Sequence, residues 1–183
     1  MLNRVIFYFF LFATLPFISI GQEKPLRIEL ECQQGVEPYV SVPCGVYGAL
    51  IMYPTLEENE NSIVWTFMLV DVNFKPVWSV PYNIGKKLKF RHQELEEETL
   101  YLAFSKSGKT NEETNLQILR IELPTGNSSD LKATIEGRPQ ASQMKASRNA
   151  VVLGIEKSKG SANLIYFDFN TKNKNACAFY PKR

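Results

Sequence analysis

The feature that most constrains this chain is a unit that occurs three times: apolar strand, polar loop, longer apolar strand, tight turn, shorter strand. In the first copy, Ala49-Leu50-Ile51-Met52-Tyr53 precedes a polar loop from Glu57 to Ser62. Ile63 to Val70 follows, then a turn near Asn73 and Pro76-Val77-Trp78-Ser79-Val80. The second copy has Leu100 to Phe104, a loop through Gly108, Leu116 to Leu123, the turn Pro124-Thr125-Gly126-Asn127, and Leu131 to Ile135. The third has Ala150 to Ile155, the loop Lys159-Gly160-Ser161, Leu164 to Phe169, a turn over Asn170-Thr171-Lys172-Asn173, and Ala176 to Tyr180. The first strands begin about 50 residues apart, a period at which one supersecondary unit cannot bury its apolar surface without its neighbours. Val151-Val152-Leu153 is apolar on both faces, so it needs packing from two sides. The Gly- and Asn-containing turns suit hairpins.

The third unit, Asn149-Ala150-Val151-Val152-Leu153-Gly154 with Leu164-Ile165-Tyr166-Phe167-Asp168-Phe169-Asn170-Thr171-Lys172, resembles blades of exported bacterial β-propeller proteins. The resemblance extends over residues 45–183, in units of about 45–90, 91–138 and 139–183, without a recurring Trp-Asp dipeptide. It implies an all-β fold of three antiparallel blade-like repeats, a partial β-propeller, used for surface interaction; it transfers no catalytic residue. Propellers close with four to eight blades. Three would leave open faces, which a homodimer of two half-rings or a longer parent protein would cover. The same short strands and turns also suit a single β-sandwich or a small barrel. Between the first two units, Arg91 to Glu98, rich in Glu, reads as a charged, solvated connector.

Residues 1–21 read as a signal peptide. Arg4 gives a weakly positive start, Val5 to Ile20 is apolar, and Ser19 and Gly21 supply the small residues before a cleavage point. The apolar run contains Pro16 and falls short of the roughly 20 residues a spanning helix needs, so no stable membrane insertion is expected after cleavage. The mature chain would start at Gln22 and be secreted or periplasmic. Residues 22–44 carry N-terminal strands: Leu26, Ile28, Leu30 and Cys32 alternate with charged residues, and Pro38 to Pro43 is an extended edge or connecting segment. The formal charge of +2 falls to +1 when Arg4 leaves with the leader, which gives no electrostatic reason for nucleic-acid binding. Export permits disulfides. Cys32 and Cys44 could close a short loop, leaving Cys177 as an odd thiol that is either buried or paired with another chain.

Sites for chemistry are sparse. Ala103-Phe104-Ser105-Lys106-Ser107-Gly108-Lys109-Thr110 is close to a phosphate loop, but Ala103 stands where the first glycine belongs. The segment after it also reads as a strand, not the required helix, so no nucleotide is expected. Glu57-Glu58-Asn59-Glu60 lacks the Asp and Gly spacing of a calcium loop, and His92 is the only histidine. No Gly-x-Ser-x-Gly elbow is present. No metal, cofactor or catalytic residue is assigned. The aromatics remain, mostly as core, with Tyr39, Trp78 and Tyr82 as candidate partner contacts. The expected function is that of an exported non-catalytic β-repeat protein binding a protein or glycan. The rivals are an exported hydrolase whose acids converge only in the fold, and a propeller fragment without independent function.

Overall fold

The computed structural model describes Glu29 and residues 39–106, 113–136, 141–157 and 161–179. The expected leader, the strand Leu26–Cys32 and the Gly108-Lys109-Thr110 loop lie outside them. The described chain is all-β, apart from one 3-10 turn at Gly45–Tyr47. Twelve strands form three four-stranded antiparallel sheets, each a simple meander. The first sheet contains β1 (Val40–Pro43), β2 (Ala49–Glu58), β3 (Ser62–Val70) and β4 (Pro76–Gly85). The second contains β5 (Leu88–Glu96), β6 (Thr99–Lys106), β7 (Glu113–Glu122) and β8 (Ser128–Glu136). The third contains β9 (Ala141–Ser147), β10 (Ala150–Lys157), β11 (Ser161–Asp168) and β12 (Asn173–Phe179). Three separate sheets are not a single two-sheet sandwich, and none closes into a barrel.

The sheets stack face to face in chain order because the middle one is apolar on both sides. In β6, Leu100, Leu102 and Phe104 join Leu50, Met52, Trp65, Phe67 and Leu69 of the first sheet in one core. Tyr101 and Ala103, pointing the other way, join Val151, Leu153, Ile155, Ile165 and Phe167 of the third sheet in another. The period-2 alternation of a strand sends successive side chains to opposite faces, so this one strand feeds both cores. Its residues 100–105 are all buried. The first core is aromatic. The Phe104 ring meets Trp65 edge-on at 6.0 Å, Phe90 at 5.8 Å and Phe67 at 6.4 Å.

Local chemistry fixes the ends of the elements. Gly48 has φ 95°, and a Cβ there would come within 2.0 Å of the Val70 carbonyl oxygen, so only glycine lets the β1–β2 connection pack against the end of β3. Asp71 and Asp168 close equivalent turns in the first and third sheets. Asp71 Oδ1 accepts from the Asn73 and Lys75 N–H groups, and Asp168 Oδ1 accepts from those of Asn170 and Thr171. Pro76 and Pro81 lie in β4, an edge strand of its sheet, where a missing donor is tolerated.

Two sequence expectations need correction. Arg91–Glu98 is not a solvated connector: residues 91–96 belong to β5, with only Glu97 and Glu98 in a turn. The charges misled because they are engaged: Lys145 Nζ of β9 reaches Glu94 Oε1 at 2.7 Å. Each repeat also has four strands, not three; β1, β5 and β9 precede the strand taken as the start of each unit.

Phe104→Ala removes the ring that three aromatics share and leaves a cavity between the first two sheets. Urea unfolding should show a loss of about 3–5 kcal/mol, whereas Phe74→Ser at the exposed β3–β4 turn should change stability by less than about 0.5 kcal/mol.

Candidate functional site

The first two sheets are sealed by aromatics on one side and part on the other. There a cleft of about 440 Å³ opens. The first sheet supplies Asn61, Ser62, Asn83 and Gly85, and the second supplies Asn115, Gln117, Lys132 and Thr134 among others. Pairing places these groups: Asn115 lies opposite Thr134 and Gln117 opposite Lys132 on β7 and β8, so all four belong to the face turned toward the first sheet.

Gln117 is the keystone of the cleft. It occupies a core-facing position of β7 and is 2% exposed. Its Nε2 donates to the Asn83 carbonyl at 3.1 Å and to Asp130 Oδ2 at 3.0 Å, and its Oε1 accepts from the Gly85 N–H at 3.4 Å. A buried amide satisfied this way fixes the separation of the two sheets. Around it, Thr134 Oγ1 donates to Asn115 Oδ1 at 3.2 Å. The Ser62 hydroxyl donates to Asn59 Oδ1 at 2.8 Å, and that same oxygen accepts from the backbone N–H groups of Asn61 and Ser62. Lys132 is the one charged residue among the described residues lining the cleft, and its Nζ lies 3.6 Å from Asp130 Oδ2. Among the described side chains, the lining therefore offers amide and hydroxyl hydrogen bonds and no carboxylate, histidine or thiol for proton transfer or nucleophilic attack.

Carboxylates gather elsewhere, between the second and third sheets. Arg120 Nη2 pairs with Glu122 Oε1 at 3.1 Å, and Glu96 Oε2 and Arg120 Nε are buried without a hydrogen-bond partner among the described residues. The fully buried Tyr101 donates its hydroxyl to the Arg148 carbonyl. Burial raises its pKa, while a hydrogen bond and charge from Arg120 act in the opposite direction. With the Lys145–Glu94 pair, these contacts clamp β9 and the β9–β10 turn to the middle sheet. Among the described residues, no group of three or more His, Cys, Asp or Glu side chains could hold a metal ion.

The aromatics proposed from sequence as partner contacts divide. Trp78 is half-buried; its Nε1 donates to the Leu123 carbonyl at 2.7 Å, and its ring lies over Gly126. At Gly126 φ is 71°, and an added Cβ would come within 3.1 Å of the indole. Tyr82 stacks on Phe67 at 5.2 Å and hydrogen-bonds Ser128. Both are engaged between sheets, and Tyr39, 57% exposed, stands open. Sequence reasoning did not find the cleft. Its one legible signal was Gln117, a polar residue in register with the buried Leu119 and Ile121.

Cys44 is a fully buried free thiol that donates to the Val42 carbonyl at 3.4 Å. Cys32, its expected disulfide partner, lies outside the described residues. Burial pushes the Cys44 thiol from 9.0 up to about 11.

No family model, curated protein or solved structure matches the chain.

Two outcomes are expected. Gln117→Leu strands the Asn83 carbonyl and the Gly85 N–H, and denaturant unfolding should report a loss of about 1–3 kcal/mol. The raised folded-state pKa of Cys44 means the native protein holds that proton more tightly than the unfolded chain. Its contribution to stability is complete below pH 9 and disappears as pH rises toward 11. Cys44→Ala should flatten the pH-stability curve over that interval. Alkylation mapped by mass spectrometry at pH 8 should leave Cys44 unlabelled in the native protein and label it in urea without reductant.

Proposed function

We propose that this chain is an exported, non-catalytic binding protein built on part of a β-propeller, and that its cleft between the first two sheets takes an uncharged, hydroxyl-rich ligand, a short neutral glycan. The blade reading is supported by three successive four-stranded meanders stacked face to face. It is also supported by β5, the first strand of the second sheet, lying against β9, the first strand of the third. Export follows from the leader pattern of residues 1–21.

The observation that carries the ligand class is the cleft lining. Asn61, Ser62, Asn115 and Thr134 line the cleft with amide and hydroxyl groups, both donors and acceptors, as sugar hydroxyls require. A volume of about 440 Å³ falls within the range of small-ligand sites. With no carboxylate, histidine or thiol among the described lining residues to activate a hydroxyl, the ligand would be held and not cut. The hydrolase alternative would have to work at the carboxylate cluster between the second and third sheets, where Glu94 and one oxygen of Glu122 are held in ion pairs.

A neutral oligosaccharide array followed by calorimetry tests the reading. Asn115→Leu and Thr134→Val, both exposed, should each weaken binding about tenfold, the loss of one hydrogen bond. Lys132→Gln should leave affinity for a neutral sugar within about twofold, since no ligand charge faces it. Absence of binding across the array, or turnover in a glycosidase panel, would sink the proposal.

A further inference from the structure

Among the described residues, the stack ends in two sheet faces that no described element covers, and their composition is not that of water-facing surfaces. On the outer face of the first sheet, Ile51, Tyr53, Val64, Thr66, Met68 and Val77 project away from the core. Apart from Glu57 at the far end of β2, the alternate positions of β1–β4 that share this face carry no charged residue. On the outer face of the third sheet, Val152, Leu164 and Tyr166 form the centre, with Leu164 37% and Tyr166 40% exposed. Two of the charges there are occupied: Lys145 reaches Glu94, and Asp168 closes its own turn. An antiparallel sheet with one wet face normally alternates apolar inside with charged or polar outside. Here the charges sit instead on strands such as β8, where Asp130 and Lys132 guard an edge.

We infer that the outer face of the first sheet in one copy packs on the outer face of the third sheet in a second copy, and reciprocally, so that two chains close a ring of six sheets. This rests on the blade reading above and is independent of the ligand. Within one chain, the first sheet already packs on the second and the second on the third, so a sheet face of this kind is the surface these sheets are shaped to meet. Area decides between one contact and two. With strands about 4.8 Å apart rising about 3.3 Å per residue, a four-stranded face seven residues long covers about 450 Å². A single sheet-on-sheet contact would remove about 900 Å² in total, below the roughly 1,200–2,000 Å² of stable interfaces, while reciprocal closure removes about 1,800 Å². Closure also leaves no open apolar face, as a two-fold assembly with self-complementary surfaces requires.

Thr66, central in β3, and Tyr166, central in β11, lie on the two faces and contribute to neither core. Light scattering on the full chain, processed as the producing cell leaves it, should give a dimer. Thr66→Glu and Tyr166→Lys should each raise the dimer dissociation constant about 100-fold, by placing an unpaired charge in both contacts. Far-UV circular dichroism should show that each variant keeps its sheet content. Mixing the two variants should restore the dimer. In the mixed pair one contact matches Glu with Lys and the other is unaltered.

A monomeric wild-type chain overturns the inference, whether residues 22–38 or further chain cover the faces. So does a dimer insensitive to both substitutions, or a mixture that stays monomeric. A chain that is monomeric yet still binds the oligosaccharide leaves the binding reading standing. One that pairs as described but binds no sugar does the reverse.

Discussion

The arrangement depends on one strand being buried on both faces. Residues 100–105 of β6 have no solvent side, so the sheet that holds them must be covered twice. The first and third sheets are those covers. This requirement makes the stack sequential: Phe104 draws the aromatics of β3 and β5 to one side, and Tyr101 draws the third sheet and Phe169 to the other. Because dispersion and apolar burial fall off within a few ångströms, the covers must also match the pleat of β6 residue for residue. The alternation of Leu100, Leu102 and Phe104 against Tyr101 and Ala103 sets that register. Tyr101 and Ser105 are the polar exceptions, and Tyr101 meets its requirement through the Arg148 carbonyl.

Strand content, repeat number and most turns were legible because each rests on local chemistry. Alternation marks β3, a two-sided apolar run marks β6 and β10, and Asp, Asn and Gly mark the turns after β3, β7 and β11. The edge strand β1 was legible in Pro38–Pro43, but the first strands of the second and third sheets were harder. β5 carries Lys89, Arg91, Glu94 and Glu96 between its apolar residues, and charge density there outweighs the alternation. Its charges are tolerable because partners arrive from the third sheet, far away in sequence. Lys145 lies 51 residues from Glu94. A strand whose stability depends on such a partner looks like a solvated segment until the fold brings the partner in.

The cleft was illegible for a related reason. Its walls come from five strands and the turn at Asn61, and apart from Gly85 and Leu88 the groups that the two sheets bring together there are far apart in sequence. Asn and Thr near strand ends look like ordinary turn formers. Only Gln117 breaks a local rule, since a buried amide between apolar neighbours costs desolvation unless its hydrogen bonds are met. They are met across the sheet boundary, by Asn83 and Gly85. The residue that looks wrong in the strand is therefore the one that joins two sheets, in keeping with the tendency of local inconsistencies to mark functional or structural junctions.

The two inter-sheet spaces differ in a way that bears on function. Between the first and second sheets, the apolar contact is strong enough to stand without ions, and the space beyond it is free to be lined with neutral polar groups. Between the second and third, ion pairs and the Tyr101 hydroxyl do part of the clamping. Charges fixed in such contacts are poor candidates for chemistry, because a catalytic acid must change its protonation during turnover while a clamp must keep it. Glu94, tied to Lys145, and Glu122, tied to Arg120, are committed in this sense. Among the described residues the cleft carries no carboxylate held in this way, and Gln117 is its buried structural tie. Asn115, Lys132 and Thr134 lie at its surface, where substitution would leave the aromatics that hold the sheets together undisturbed.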